Sequence, residues 1–216
     1  ARFLSGHFLR KSLVDQIRDQ IVRKVILLRE PQSFHISYYN YRMMRYVNSG
    51  WKPYSFDIHL RSQPDDAITH FILSRWLEVP WMKLLSMDAV DKWKLVNSEL
   101  SSFWYVGDYR TCDELCALIS CEIGIPVSSE RANTSTKWLD RVQWTPLSPE
   151  DLTPKQKALI QAKSQLDRAL WNRWRDVKRD CANVEPAEPG KPRSFLRSEA
   201  VRPIYSIRRR LQRGWF

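Results

Sequence analysis

Glycine is scarce in this chain, six among 216 residues, and none of the six stands in a G-x-x-x-x-G-K-[ST] run. That excludes the Walker-type phosphate loop. With only twelve prolines beside them, a collagen-like or glycine-rich polymer is excluded too. Cysteine is equally sparse. Cys112, Cys116, Cys121 and Cys181 form no C-x-x-C pair and no zinc-type spacing, so they point to no redox compartment. No apolar run approaches the roughly 18–20 residues that cross a bilayer. Ala1 opens the chain without an initiator Met and without the charge, apolar run and small-residue site of a signal peptide. A processed form or a fragment is the expectation.

What is present suffices for a core. Apolar residues make up 43% of the chain and aromatic residues 12%, a composition that rules out a mostly disordered polymer. At 25.7 kDa the chain accommodates one large domain or a domain with an appendage. Charge is lopsided. The formal net charge is +11, and residues 186–216 carry eight Lys/Arg against Glu188 and Glu199, leaving a surplus of six in the tail. Such a balance attracts nucleic acid, acidic lipid, anionic sugars or phosphorylated cofactors without choosing among them.

Short apolar runs alternate with amphipathic stretches. Ser12 to Val22, with Leu13, Ile17, Ile21 and Val22, has helical spacing. Lys24 to Leu28 is a β-branched and Leu run of the kind buried on both faces of a sheet. Pro31 then suits the first turn of a helix reaching about Tyr46, and a loop spans Asn48 to Asp57. Asp65 to Trp76 reads as a helix with Ala67, Ile68, Phe71, Ile72 and Leu73 inward; another runs from Asp88 to about Leu100. Phe103 to Val106 is a second buried strand. Thr111-Cys-Asp-Glu114 fits a capping box, and Gly124 stands where that helix stops. Thr153-Pro-Lys-Gln156 repeats the pattern and opens a long helix with Leu159, Leu166, Leu170, Trp174 and Val177 on one face. The pattern predicts an α/β domain with a mainly parallel sheet over residues 1–183, followed by a Pro/Arg-rich basic tail over 184–216.

In parallel sheets ligands sit beyond the carboxyl ends of the strands. Gly6-His7, Arg29-Glu30-Pro31 and Gly107-Asp108-Tyr109-Arg110 are therefore expected on one edge. Arg29 ends a strand and Pro31 starts a helix, so the helix's free amides are expected beside the guanidinium, a setting for a phosphate. Ser37 lies four residues after Ser33 on the same face and adds a hydroxyl. The plainer reading is an arginine closing a strand and a serine on an amphipathic helix.

Arg29-Glu-Pro with Ser37 eight residues after the arginine, then a Tyr-rich stretch, resembles the 3′-phosphate motif of the Golgi-type and bacterial carbohydrate sulfotransferases. The heparan sulfate 2-O-sulfotransferase group is nearest in spacing. Arg2-Phe-Leu-Ser-Gly-His7 is similar to the Gly-His segment preceding that motif. Phe103 to Asp108 leading to Gly124-Ile-Pro126 resembles the family's strand–helix unit. Arg131-Ala-Asn-Thr-Ser-Thr-Lys137 resembles its segment near the nucleotide, and Leu166-Asp-Arg-Ala-Leu-Trp171 its closing helix.

The resemblance covers roughly residues 1–180. It implies a P-loop-like sulfotransferase fold and transfer of a sulfuryl group from 3′-phosphoadenosine 5′-phosphosulfate to a carbohydrate hydroxyl. His7 is then the catalytic base, a task that suits an imidazole. Arg29 and Ser37 hold the 3′-phosphate, and Asn133, Ser135 and Lys137 stand near the nucleotide. No metal is implied; the partners are the nucleotide donor and a glycan acceptor, itself anionic. The chain departs from the family at Phe34, where a basic residue is usual, and at Trp171, where Tyr is usual. It also has no counterpart of the Lys- and Thr-containing 5′-phosphosulfate loop, so an incomplete N-terminal part is expected. The compartment stays open, cytoplasm for a bacterial protein and Golgi lumen for a eukaryotic one.

A nucleic-acid or other polyanion-binding module is the alternative, from the net charge and interleaved aromatics, although no RNA- or DNA-binding motif is present. Trp51 and Tyr54 are candidates to stack on a sugar ring. The cysteines at 112 and 116 share helical spacing with Leu115, Leu118 and Ile119, which makes them core fillers, and His35, His59 and His70 are read as structural.

Overall fold

A computed structural model of the chain describes residues 10–17, 22–124 and 144–175. Helices dominate, packed around a two-stranded parallel sheet. Strand β1 (Val25–Leu28) pairs with β2 (Tyr105–Asp108), Val25 opposite Tyr105 and Leu28 opposite Asp108. All four residues of β2 are buried, but in β1 only Leu28 is fully so. The expectation of a β1 buried on both faces is thus met at its carboxyl end alone.

Helix α1 (Lys11–Asp15) is shorter than its apolar spacing suggests. Its Lys11 ammonium meets the Glu99 carboxylate at 2.7 Å. After β1 the chain enters α2 (Pro31–Asn48), with Pro31 in the first turn, where its missing N–H is harmless. Helix α3 (Phe56–Ser62) follows, its Ile58 amide donating to the Ser55 hydroxyl. Helix α4 (Ala67–Phe71) runs directly into a wide turn, Ile72–Trp76, where the Leu77 amide reaches back five residues to the Ile72 carbonyl. Phe71, expected inward, is exposed instead. Helix α5 (Trp81–Ser86) precedes α6 (Ala89–Ser101), which Asp88 caps by accepting from the Asp91 amide.

Helix α7 (Cys112–Ile123) ends at Gly124, whose φ of 67° is the left-handed cap that glycine takes without strain. Its start differs from expectation. The Thr111 hydroxyl makes no capping bond; it donates to the Asp108 carbonyl and pairs with the Tyr105 hydroxyl. Room for that arrangement comes from Gly107, where a Cβ would stand 2.7 Å from both Thr111 Oγ1 and Tyr105 Cε1.

The long C-terminal helix is two helices. Helix α8 (Pro154–Lys163) opens on a complete Thr153–Gln156 capping box, and α9 (Gln165–Trp174) follows after a break at Ser164, with φ −129° and ψ 39°. The break has a tertiary cause. Asp66, in left-handed backbone (φ 51°), donates its amide to the Lys163 carbonyl and accepts with its carboxylate from the Leu166 and Asp167 amides. Asp167 returns the favour, its carboxylate accepting from the Ile68 and Thr69 amides at 2.9 and 2.7 Å. Each carboxylate caps the other's helix, satisfying orphan donors that a local cap would otherwise serve.

Two apolar clusters result. One joins Leu28 and Val106 of the sheet to Ile72, Leu73, Leu100 and Leu170. The other gathers Ile36, Tyr39 and Met43 of α2 with Phe56, Leu60 and Ile160. No described helix is long and apolar enough to cross a membrane.

Candidate functional site

Parallel pairing with Leu28 opposite Asp108 delivers the next residue of each strand, Arg29 and Tyr109, to the same carboxyl edge. The Arg29 guanidinium lies over the Tyr109 ring, 4.2 Å from its centre, and its Nε donates to the Ser33 hydroxyl at 3.2 Å. The Ser33 hydroxyl, with Arg29 adding to it, holds the Tyr109 phenol below its ordinary range. Ser37 stands one turn beyond Ser33, about 6 Å further along α2 on the same face, and is half-buried. Arg29 and the serines thus share one side of the helix.

One expectation about this corner changes. The α2 amides are not all free, because Glu30 turns its carboxylate onto the Ser33 amide at 2.7 Å. The Glu30 carboxylate thus occupies the start of α2, and the groups left beside Arg29 are the Ser33 hydroxyl and the Tyr109 ring. Phe34, in the place usually basic, packs against the sheet-side core and stacks on Tyr38.

Beyond Tyr109 the edge continues. Arg110 is held by the buried Asp108 carboxylate through its amide at 2.8 Å and its Nε at 3.0 Å. Asp108 also accepts from the Trp171 indole N–H at 2.6 Å. Burial alone would raise that carboxyl, but the bonds from Arg110 and Trp171 outweigh it and keep Asp108 below the usual carboxylate range. The Arg175 guanidinium covers Trp171, 4.4 Å from the ring centre. Asp108, Arg110, Thr111, Trp171 and Arg175 line an open cleft of about 260 Å³. Cations and rings therefore alternate along the edge: Arg29, Tyr109, Arg110, Trp171, Arg175. Each such contact is worth about 0.5–2 kcal/mol, rising as water is excluded.

A second surface lies on the outer face of α2. Tyr41 and Trp51 are exposed, Tyr38 nearly as much, and the Arg42 and Arg45 guanidiniums lie 5.7–5.8 Å from the Tyr38, Tyr54 and Tyr41 ring centres. Neither arginine forms an ion pair among the described residues.

His7, Asn133, Ser135 and Lys137 lie outside the described residues, as does the 184–216 tail. Of the six site candidates, Arg29 and Ser37 lie among the described residues; Arg29 bonds to Ser33, and Ser37 stands one turn further along the same helix. Ser33 and Tyr109 were not singled out as ligands by spacing alone; the signal available was Gly107-Asp-Tyr-Arg110 directly after an apolar strand. His35 and His59 are wholly buried and His70 packs its ring on Trp81. Cys112 and Cys116 are half-buried on α7, while Cys121 is exposed.

Scans of protein-family models, of curated proteins and of solved structures each find nothing that matches this chain.

Proposed function

We propose that the chain binds the ribose-linked 3′-phosphate of a nucleotide at the carboxyl edge of its parallel sheet and belongs to a carbohydrate sulfotransferase using 3′-phosphoadenosine 5′-phosphosulfate. The observation that carries the reading is the Arg29–Ser33–Tyr109 cluster with Ser37 one turn on. A fixed guanidinium and several O–H donors on rigid elements are what a phosphate dianion requires. The P-loop-like sulfotransferase fold is part of the same reading, supported by a parallel pair whose carboxyl edge carries the motif arginine.

The donor supplies the sulfuryl group. Arg29, Ser33, Ser37 and Tyr109 hold its 3′-phosphate, and Asn133, Ser135 and Lys137 stand along the nucleotide. His7 takes the proton of the acceptor hydroxyl as the new S–O bond forms and the old one to the 5′-phosphate breaks. No residue of this chain matches the family's leaving-group lysine, so binding rather than turnover is the measurement to make.

Isothermal titration with 3′-phosphoadenosine 5′-phosphate, 5′-AMP and single-stranded DNA tests the reading. Binding that needs the 3′-phosphate and weakens about 10–100-fold in Arg29→Ala is expected, the loss of one charge-assisted hydrogen bond being worth about 1.5–3 kcal/mol. Equal affinity for 5′-AMP overturns it. The polyanion-binding alternative is favoured by the arginine- and tyrosine-lined face of α2. DNA binding that survives Arg29→Ala and is lost when Arg42 and Arg45 are both replaced by Ala selects that alternative.

A further inference from the structure

Two imidazoles are sealed where α2, α3 and α8 meet. His35 is 1% exposed and His59 is 0%, and their ring centres lie 6.3 Å apart, edge to face. His35 Nε2 reaches the Ser164 hydroxyl at 3.3 Å, at the break between α8 and α9. Its Nδ1 and both nitrogens of His59 have no hydrogen-bond partner among the described residues. Rings close in on every side: Phe56 stacks on His59, and Tyr38 and Tyr39 stand against it.

The charged groups facing the pair are both cations, Lys163 from α8 toward His35 and Arg42 from α2 toward His59. The carboxylates around this corner are engaged elsewhere. Asp65 pairs with Lys163 at 2.8 Å, Asp57 accepts from Gln156, and Asp66 and Asp167 cap each other's helices. Among the described residues, a proton added to either imidazole has no anion to meet.

We propose that His35 and His59 form an acid-opened latch, which when neutral clamps α2 against α3 and the α8–α9 junction and when protonated releases that corner. The latch bears on the edge site because Ser33 and Ser37 ride on α2 and Trp171 on α9; only this consequence rests on the nucleotide reading above. Burial lowers both histidines to about 4, with Lys163 adding at His35, and with the His35 imidazole and then Arg42 adding at His59. A histidine so lowered contributes stability that is present above pH 6.5 and lost as the pH falls through about 4. Between pH 7 and 5 each should weaken folding about 20-fold, the pair about 400–500-fold. Asp167, raised by burial to about 6, works against them by about 9-fold over the same interval. These three groups together contribute a loss of about 50-fold; His70, lowered by burial, adds to it and Asp66, raised by burial, works against it.

Urea unfolding of the full chain at pH 7 and 5 tests this, together with amide exchange corrected for intrinsic rates. The wild-type chain should lose about 400–500-fold more in folding equilibrium than a chain without the two imidazoles, with exchange over 56–62 and 154–163 rising ahead of that over 25–28 and 105–108. His35→Gln with His59→Phe should abolish the loss; a double variant that keeps it overturns the latch. Should that variant fail to fold, NMR titration of the two imidazoles in the wild-type chain decides, with midpoints below 5 upholding the proposal and midpoints near 6.5 overturning it. Weaker binding of 3′-phosphoadenosine 5′-phosphate at pH 5 in the wild type, beyond that in the double variant, ties the latch to the site. Absence of binding already at pH 7 sinks the nucleotide reading and leaves the unfolding and titration results to judge the latch.

Discussion

Replacing Asp167 by Asn separates hydrogen bonding from charge at the buried junction of α4 and α9. The wild-type carboxylate accepts from the Ile68 and Thr69 amides and is 1% exposed. Asn keeps one carbonyl oxygen and turns an N–H toward the other donor, so one of two buried amides loses its partner. The penalty for a buried unsatisfied donor is about 1–3 kcal/mol, which sets the expected loss at pH 7. The pH dependence sharpens the test. Burial raises Asp167 to about 6 from 3.8; a carboxyl raised on folding contributes stability that is full below pH 3.8 and lost as the pH rises through about 6. Going from pH 7 to 5 the wild type recovers about 1.3 kcal/mol at this residue that Asn cannot recover. The histidine contributions are common to both proteins and cancel. Urea titrations followed by circular dichroism should therefore show the gap widening by about 1 kcal/mol at pH 5. A gap that stays constant or narrows refutes the assignment of the proton to this carboxyl.

Three further substitutions probe the fold. Glu99 is buried under Lys11, Lys24 and the Trp76 indole; Glu99→Ala leaves the half-buried Lys24 with the Ser102 hydroxyl and the Phe103 ring and should cost about 1–3 kcal/mol in denaturant unfolding. Burial pushes Glu99 up, but its hydrogen bonds hold it below the ordinary range, so this stabilisation is present above pH 4.5 and fades as the pH falls further. Thr153→Ala removes the hydroxyl half of the α8 capping box and should cost about 1 kcal/mol, read from thermal unfolding. Gly107→Ala drives a methyl into Thr111 and Tyr105, and should cost about 1–3 kcal/mol while detaching the Tyr105 hydroxyl from Thr111, visible in tyrosine absorbance.

Local signals carried much of this architecture. Pro31 placed the start of α2, Gly124 the end of α7, and Thr153-Pro-Lys-Gln156 the start of α8, because each acts within four residues of itself. The break at Ser164 was not legible, since the carboxylate that caps α9 comes from Asp66, 100 residues away in sequence from Leu166. Helix α3 was hidden for the opposite reason: seven residues with Phe56 and Leu60 as its main apolar contacts leave too little periodicity. Thr111 misled because its capping pattern is real, yet the space above Gly107 offers the hydroxyl a better partner. At the edge, the shared position of Arg29 and Tyr109 was legible from two apolar runs ending at the same side of a parallel sheet, whereas the seating of the guanidinium on the ring and its bond to Ser33 are tertiary quantities. The histidines 35 and 59 gave no signal beyond their identity, because the ring cage around them draws on both α2 and α3.

The wide turn at Ile72–Trp76 amounts to one surplus residue inside a helix, a phase slip of about 100°. That slip aims the Trp76 indole at Glu99 while Ile72 and Leu73 keep facing the interior. Length is therefore what selection must guard in this stretch. A one-codon deletion would restore ordinary winding and swing the indole a quarter-turn off its acceptor, whereas exchanging one exposed side chain there for another leaves the phase untouched.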